Sequence, residues 1–341
     1  ILAGALLLML PAANRDGHGL SFLDSLFTAT SATCVTGLVV ADTWTQFNFL
    51  GQLILLALIQ VGGLGYMTMV LMASMLLGRK IGLRQRSLMM ESVSAERLSD
   101  VLTLLRYILA GTAAMEGAGA VLLAIRFVPE FGLPQGIWYA IFHSVSAFCN
   151  AGFDLMGFRE PYSSLTHYVY DPLVSLTACA LVLLGGLGFL VWREVWEKGL
   201  RFRRYSFHTK IMLTATVILT VGGMALFWLA ERDNLLAGMS PGQQALVSLF
   251  QAVSPRTAGF NTVDLASLTS AGGLLTIVLM FIGAGPGSTG GGVKITTVAA
   301  CLMTLAAYIQ GKREVGAFNR RLDEGQIHRA AAGVTLYMVL A

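Results

Sequence analysis

A short module occurs three times in the chain and constrains its fold more than any other feature. The copies read FTATSATCVTGL (Phe27 to Leu38), FHSVSAFCNAGF (Phe142 to Phe153) and FQAVSPRTAGF (Phe250 to Phe260). Each begins with an aromatic residue, has a serine four residues later and then a single glycine. The copies are roughly 110 residues apart, which is far longer than a solenoid repeat and indicates a duplicated unit of domain size.

The glycine of each module indicates how the copies could act together. The module serines are Ser31, Ser146 and Ser254, and the module glycines are Gly37, Gly152 and Gly259. Because glycine allows unusual backbone bends, the carbonyl oxygens beside it can point at a common centre. A ring of backbone carbonyls replaces the water around a cation in a pore. The modules therefore predict several copies around one axis.

The composition places the chain in a lipid bilayer. Hydrophobic residues make up 55% of the sequence and charged residues 12%, whereas about 25% of a soluble domain is charged. Apolar segments comparable to the ~20 residues that span a bilayer predict membrane helices, at residues 47–77, 101–125, 173–192, 209–230 and 268–310. Residues 1–11 and 330–341 resemble parts of further spans, so we expect truncation at both ends and no cleavable signal peptide.

The distribution of charge orients these helices. Lysine and arginine cluster after the second, fourth and sixth spans, within Arg79–Asp100, Arg193–Lys210 and Gly311–Arg329, and such basic segments face the cytoplasm. The modules then lie on the opposite, acid-rich side. Its acids are either ordinary solvated loop residues or a weak field that concentrates cations at a pore mouth. Because the basic residues are spread over short loops, we expect no nucleic-acid partner.

The glycine loop of each module is preceded by an amphipathic segment that is too short to cross a membrane. These segments are Ser21–Ala32, Gly136–Phe148 and Gly242–Val253. A short helix that enters and leaves on the same side is a re-entrant pore helix, and irregular backbone at that depth must line a cavity or be buried in protein. The predicted fold class is thus an all-α membrane protein of parallel repeats, with boundaries at residues 1–95, 96–206, 207–325 and 326–341.

The chain resembles, over essentially its whole length, the Ktr/Trk/HKT superfamily of potassium transporters, most closely the bacterial Ktr membrane subunit. The matching stretches are TATSATCVTGL, SAFCNAGFD, SPRTAGFNTVD, GRKIGLRQR and FIGAGPGSTGGGVKITT. The resemblance implies four M1-P-M2 units in pseudo-fourfold arrangement, whose filter loops hold K⁺ on backbone carbonyls. The fourth loop would lie beyond Ala341. The implied filter residues are Cys34, Val35, Thr36, Gly37, Cys149, Asn150, Ala151, Gly152, Thr257, Ala258 and Gly259.

The last predicted span is interrupted by GAGPGSTGGGVK, which cannot form a continuous helix. Its notable residues are Gly283, Gly285, Pro286, Gly287, Ser288, Thr289, Gly290, Gly291, Gly292 and Lys294. The resemblance implies that this segment is an intramembrane loop that gates the pore. The segment is not a dinucleotide-binding fingerprint, because no strand precedes it. It is not a Walker motif, because its lysine does not directly follow a glycine. A purely structural kink remains the alternative.

The resemblance also implies partners and a location. Ktr membrane subunits form homodimers on a cytosolic ring of nucleotide-binding regulatory subunits. We therefore expect a multi-pass protein of the bacterial plasma membrane that docks such a ring through its basic segments, with Lys312–Arg321 as a main lever. K⁺ is the transported ion, Na⁺ is a possible activator, and no covalent cofactor is expected.

Isolated polar residues in apolar surroundings have structural interpretations. Glu116 must find a partner at membrane depth, and we expect a packing bond to the backbone of a pore loop. Lys294 either forms an electrostatic barrier in the inner cavity or reaches the cytoplasmic interface. Arg256 should brace its loop, and His143 should be a packed hydrogen-bonding residue. Cys34 and Cys149 are expected to be small residues packed behind their loops.

The functional prediction is potassium uptake through one gated pore. A sodium-conducting relative is the alternative among transporters. Gly37 argues against it, because in the family a serine at this position accompanies sodium conduction. A membrane-embedded enzyme is disfavoured by the lack of converging catalytic groups. A non-conducting scaffold fits a truncated chain but not the motifs.

Overall fold

The described part of the chain is mostly helical. The computed structural model describes residues 1–65, 101–312, 315–318 and 320–340. Its helices, numbered in chain order, are α1 Leu2–Leu8, α2 Phe22–Thr33, α3 Thr43–Gln46, α4 Phe49–Leu64, α5 Val101–Phe131, α6 Leu133–Phe148, α7 Pro172–Leu187, α8 Phe189–Lys198, α9 Phe207–Glu231, α10 Pro241–Val253, α11 Ser270–Phe281, α12 Ile295–Ile309 and α13 Glu324–Leu340. A hairpin pairs β1 (Gly316–Ala317) with β2 (Arg320–Arg321) in antiparallel register.

Three of the helices correspond to the predicted pore helices. These are α2, α6 and α10, which have 12, 16 and 13 residues. Each includes the start of one module and ends before the module glycine. Each also packs against the helix before it in the chain: α2 on α1, α6 on α5, and α10 on α9. The modules are followed by α4, α7 and α11. A helix, a second helix of 12 to 16 residues, a glycine loop and a further apolar helix thus recur in this order.

The longest helices have the length and composition of membrane spans. Among the described residues, Leu105–Phe131 and Phe207–Glu231 are each long and apolar enough to cross a bilayer, and α7 with α8 would make a third span. Exposed apolar side chains on α9, such as Val217, Ile218 and Val221, suit a lipid-facing surface. The protein is therefore mostly helical and of membrane type.

The predicted span at residues 173–192 is not one helix. The chain bends by 95° between α7 and α8, and the break falls at Gly188, whose φ of +95° lies outside the helical region. The GGLG sequence contained this signal, but a single glycine inside an apolar run also occurs in unbroken helices. The longer break between α11 and α12, in contrast, lies where the sequence predicts it.

The densest packing surrounds α6. From Tyr139 to Phe148 every residue except Ile141 is buried, and an aromatic cluster of Phe127, Phe131, Tyr139 and Tyr168 covers its outer half. His143 lies within this cluster and is 3% exposed. Its Nδ1 lies 2.7 Å from the Tyr139 carbonyl oxygen, and its Nε2 accepts from the Leu155 amide at 3.2 Å. His143 is thus the packed hydrogen-bonding residue that the sequence predicts.

Candidate functional site

The three module glycines meet at one place, although they are far apart in the sequence. A Cβ atom at Gly37 would lie 2.6 Å from the carbonyl oxygen of Ala151, and one at Gly152 would lie 2.5 Å from that of Ala258. The corresponding position at Gly259 is 3.5 Å from the Gly152 Cα. Each of the first two glycines therefore faces the carbonyl that precedes the next module's glycine. This arrangement leaves no space for a side chain at Gly37 or Gly152.

The three loops share an unusual backbone conformation. The glycines have φ values of +79°, +74° and +83°, and the residues two positions earlier are left-handed as well: Val35 at +56°, Asn150 at +57° and Thr257 at +75°. The residues between them do not have positive φ. Alternation in the sign of φ turns successive carbonyl groups toward the same side of a loop. Left-handed β-branched residues such as Val35 and Thr257 cost roughly 1–3 kcal/mol each, so the surrounding structure enforces this geometry.

The module serines hold these loops from behind, a role that the sequence did not reveal. The Ser146 carbonyl accepts from the Ala151 amide at 2.8 Å, and its hydroxyl donates to the Phe153 carbonyl at 2.7 Å. Ser254 bonds in the same way to Ala258 and to the Phe260 carbonyl. In the first module the Ser31 carbonyl accepts from Thr36, but its buried hydroxyl has no partner among the described residues. Recurrence of serine at a fixed distance from the aromatic residue was the available signal.

The two module cysteines have different environments. Cys149 is buried, and its thiol fills the space where a side chain at Gly63 would lie, as the sequence predicts. Cys34 is exposed among the described residues, so the expectation that it packs behind its loop is wrong. It caps the C-terminal end of α2, where no described residue covers its side chain.

The glycine-rich break after α11 forms a folded loop over residues 282–294. Its base is closed by hydrogen bonds from the Gly283 amide to the Val293 carbonyl and from the Ala284 amide to the Gly291 carbonyl, both at 3.0 Å. Within the tip, the Ser288 hydroxyl donates to the Gly285 carbonyl at 2.6 Å. The break is therefore an ordered structure and not a simple kink in one helix.

This loop docks against the bend between α7 and α8. The Gly285 amide donates to the Gly186 carbonyl at 2.9 Å, the Thr289 amide donates to the Gly185 carbonyl at 3.2 Å, and Phe189 donates to the Gly287 carbonyl at 2.8 Å. Gly185 is required here, because a Cβ atom would lie 1.9 Å from the Phe148 carbonyl and 2.7 Å from Thr289 Oγ1. The bend at Gly188 thus provides the surface on which the loop rests.

Lys294 folds back onto the loop. Its Nζ donates to the Gly290 carbonyl at 2.8 Å, and the residue is only partly exposed. The alternative in which Lys294 extends to the cytoplasmic interface does not describe this conformation. Its positive charge is therefore held against the loop at Gly290.

Glu116 lies behind the second module and joins three elements. Its carboxylate accepts from Gln60 Nε2 on α4 at 3.2 Å and lies 3.8 Å from the Cys149 sulfur. The Ser144 hydroxyl on α6 donates to its main-chain carbonyl at 2.6 Å. The carboxylate thus bonds to side chains, and the expectation of a bond to pore-loop backbone is wrong. Sequence spacing could not show that Gln60 on α4 reaches Glu116 on α5.

Removing the Glu116 side chain is expected to destabilise the protein. Glu116→Ala would leave Gln60 without its half-buried partner and open a cavity, at a cost of about 1–3 kcal/mol. Glu116→Gln keeps an acceptor and the side-chain volume and should cost less. The measurement is thermal unfolding of the detergent-purified protein, with exposed Glu160→Ala as the control. Equal unfolding temperatures for Glu116→Ala and Glu160→Ala would contradict this role.

Arg256 is the buried cation beside the third module. It is 7% exposed, and Nη1 donates to Thr220 Oγ1 on α9 at 3.4 Å. Its Nε has no partner among the described residues. This single long bond links the loop to α9 and is compatible with the predicted bracing role.

The acids on the side of the modules mostly have structural partners. Asp42 and Asp171 cap α3 and α7, and Asp171 also pairs with Arg126 at 2.7 Å. Glu231 accepts from the amide and hydroxyl of Thr269. Burial, with a smaller contribution from the charge of Asp42, raises the pKa of Asp154 to about 7. These acids therefore serve mainly in capping and pairing, and a cation-concentrating field needs the exposed acids that remain.

Three comparisons place the chain among known proteins. A family model for TrkH, a cation transport protein, matches residues 3–340. The Ktr system potassium uptake protein B of Bacillus subtilis is 42% identical over 334 residues, which cover 97% of this chain and 73% of that protein. The potassium/sodium uptake protein NtpJ of Enterococcus hirae is 39% identical over 340 residues, 99% of this chain and 73% of that protein.

A solved structure agrees with the fold. The crystal structure of the potassium transporter TrkH from Vibrio parahaemolyticus matches with a TM-score of 0.70 at 20% identity, over 97% of this chain and 65% of that one. At this identity the match shows a shared fold only. Together with the family model and the close relatives, it means that the chain is a multi-pass membrane protein of the TrkH family of cation transport proteins and not an enzyme.

Proposed function

We propose that this chain takes up potassium through a pore whose selectivity filter is made by the three glycine modules. The observation that supports it most is the close approach of Gly37, Gly152 and the carbonyls of Ala151 and Ala258. Uptake of potassium or sodium follows from the family and its relatives. The converging carbonyls supply the chemistry, because a dehydrated cation needs several oxygens at once.

The recurring order of helices supports a pseudo-fourfold architecture. We assign repeats to residues 1–95, 96–206 and 207–325, with 326–341 beginning a fourth. The filter would comprise residues 34–37, 149–152 and 257–259, which bind K⁺ through backbone carbonyls, and a fourth loop would complete the ring. Three copies of one backbone conformation, with matching left-handed positions, are the basis of this assignment.

Potassium is the preferred cargo on the basis of the first module. The relatives include a potassium uptake protein and a potassium/sodium uptake protein, so the family name alone does not choose between the ions. Gly37 leaves the carbonyls unobstructed, whereas a serine at that position would approach the Ala151 carbonyl. A role for Na⁺ as an activator is compatible with these names and requires a site of its own.

The loop at residues 282–294 is proposed to be the gate. It lies against the inner ends of the second and third modules, since a Cβ atom at Gly290 would be 2.7 Å from Thr257 Oγ1 and 3.3 Å from Asn150 Nδ2. It must leave this position for ions to pass. Its glycine content makes a change of backbone conformation inexpensive.

Two helices connect the gate to the predicted cytoplasmic side. α12 starts directly after the loop at Ile295, and α8 starts at Phe189, whose amide binds the Gly287 carbonyl. The segments that follow these helices are in contact, because Phe202 and Phe318 pack with ring centroids 6.1 Å apart. A partner that moves these segments would pull on both sides of the loop.

This surface is the proposed docking face for a cytosolic ring of nucleotide-binding subunits beneath a homodimer. Similarity to a Ktr system protein supports membership of such a system. The basic residues Arg201, Arg203, Arg204, Arg320 and Arg321 lie on the two connecting segments. The segment Arg79–Asp100 with GRKIGLRQR, and Arg313, lie outside the described residues.

Charge reversal on the hairpin should uncouple the partner. Arg320→Glu with Arg321→Glu is expected to weaken ring binding by roughly tenfold, because like charges then face each other. The measurement is co-purification of the complete transporter with its regulator, together with the nucleotide response of K⁺ uptake. Arg232→Glu, on the opposite side, is the matched control. Unchanged binding and response would rule out this face.

The proposed function itself is tested by growth of a bacterium that lacks potassium uptake. The complete transporter should restore growth at low K⁺ and accumulate rubidium. A transporter that restores only sodium uptake would select the sodium-conducting alternative. Absence of any cation uptake, with normal abundance in the membrane, would select the scaffold.

A further inference from the structure

The gate loop and the second filter loop are joined by side chains. Asn150 Nδ2 donates to Thr289 Oγ1 at 2.9 Å, and Thr289 Oγ1 donates to the Phe148 carbonyl at 2.8 Å. Asn150 is 1% exposed and Thr289 is 5% exposed. A hydroxyl has one proton and two lone pairs, so the Thr289 side chain donates and accepts at the same time. One gate residue thereby holds both the end of α6 and the filter loop that follows it.

Asn150 is placed where a displacement would change the filter. With a φ of +57°, Asn150 is one of the two left-handed residues, together with Gly152, that orient the carbonyl groups of this loop. Asparagine tolerates this conformation better than most residues. Its backbone therefore shapes the loop while its side chain points to the gate. A movement of Thr289 away from Asn150 removes the contact that orients this side chain.

The equivalent positions of the other two modules have no such contact. Val35 has no hydrogen-bonding side chain, and the Thr257 hydroxyl has no partner among the described residues. The link is thus specific to the second loop. Its surroundings are also tight, because a Cβ atom at Gly185 would lie 2.7 Å from Thr289 Oγ1. The surrounding atoms therefore restrict the Thr289 side chain to one position.

We propose that Asn150 and Thr289 form a latch that couples the gate to the filter. When the loop is in place, the latch holds the gate against α6 and fixes the second filter loop. When the loop leaves, Asn150 loses its partner and the second filter loop loses a support. Coupling of this kind is reciprocal, so the ion that best fits the filter also favours one position of the gate. The proposal rests on the filter and gate assigned above.

Four variants of the complete transporter test the latch. Thr289→Val keeps the shape of the side chain but removes its hydrogen bonds, and Thr289→Ser keeps the hydroxyl. Asn150→Gly removes the side chain and still permits a positive φ. Ser288→Ala is the matched control, because the Ser288 hydroxyl bonds within the loop, to Gly285, and to nothing else in the described part of the chain. The readouts are K⁺ flux without nucleotide and the ratio of rubidium to sodium uptake.

Thr289→Val should raise the flux without nucleotide roughly threefold to tenfold and lower the uptake ratio in the same protein. Thr289→Ser and Ser288→Ala should behave like the wild type. Asn150→Gly should reproduce the effect, and the double variant should add little to either single one.

Equal behaviour of Thr289→Val and Ser288→Ala in both readouts would overturn the latch. A higher flux with an unchanged uptake ratio would also overturn it, since the gate would then act without the filter. Deletion of residues 287–290 separates this failure from that of the gate. If the deletion raises flux and Thr289→Val does not, the latch is wrong and the gate stands. If neither raises flux, the gate assignment is wrong and the latch with it.

Discussion

Replacing Gly152 by alanine is expected to lower the preference of the transporter for potassium over sodium by roughly tenfold or more. The new methyl group would lie 2.5 Å from the Ala258 carbonyl oxygen, so the third loop must move. The φ of +74° adds backbone strain to the steric clash. Both effects turn carbonyls away from a common centre. Rubidium and sodium uptake, measured in the same cells, give the ratio.

The glycine of the first module is expected to have a related effect. Gly37→Ser should raise sodium uptake relative to potassium, since its Cβ atom would approach the Ala151 carbonyl at 2.6 Å. Gly222→Ala on α9 is the control, because no described atom outside its own stretch of helix lies within 4 Å of that Cβ position. An unchanged uptake ratio in Gly152→Ala, at normal abundance in the membrane, would refute the filter assignment.

Deletion of Gly287 to Gly290 is expected to raise potassium flux without nucleotide by roughly tenfold or more, because a gated protein spends only about 0.1–10% of its time in a minor state. The deletion removes the loop tip that lies beneath Asn150 and Thr257. It leaves the bonds that close the base, between Gly283 and Val293 and between Ala284 and Gly291. The two flanking helices should therefore keep their positions.

Flux should be compared with the abundance of folded protein, determined by size-exclusion chromatography in detergent. A fall in flux with a normal elution profile would mean that the loop is a structural element and not a barrier. A response to nucleotide as large as that of the wild type would likewise contradict the proposed gate, since the regulated element would still be present.

Most of the architecture could be predicted from the sequence, because the repeated module and the apolar segments are local signals. The three short helices and the break at residues 282–294 lie where the sequence predicts them. The bend at Gly188 was missed. In an apolar segment a glycine can pack within a continuous helix or break the helix. Here the break provides the docking surface for the loop, and this long-range contact is not visible in the sequence.

The contacts within the site are long-range and could not be predicted in the same way. The hydrogen bond from Thr289 to the Phe148 carbonyl joins residues far apart in the chain, and the bond between Gln60 and Glu116 joins α4 to α5. Hydrophobic periodicity predicts which face of a helix is buried, but not which other helix packs against that face. The convergence of the glycines was predicted only because three equivalent loops in one membrane protein imply an axis.

The measurement that tests the central claim most directly is the position of a thallium ion, a heavy substitute for potassium, in crystals of the complete transporter. The account predicts anomalous density on the axis between the modules, bound by carbonyl oxygens that include those of Thr36, Ala151 and Ala258. The same crystals grown with Gly152→Ala should lose this density. Thallium bound elsewhere, with no density between the three glycine loops of the wild type, would contradict the account.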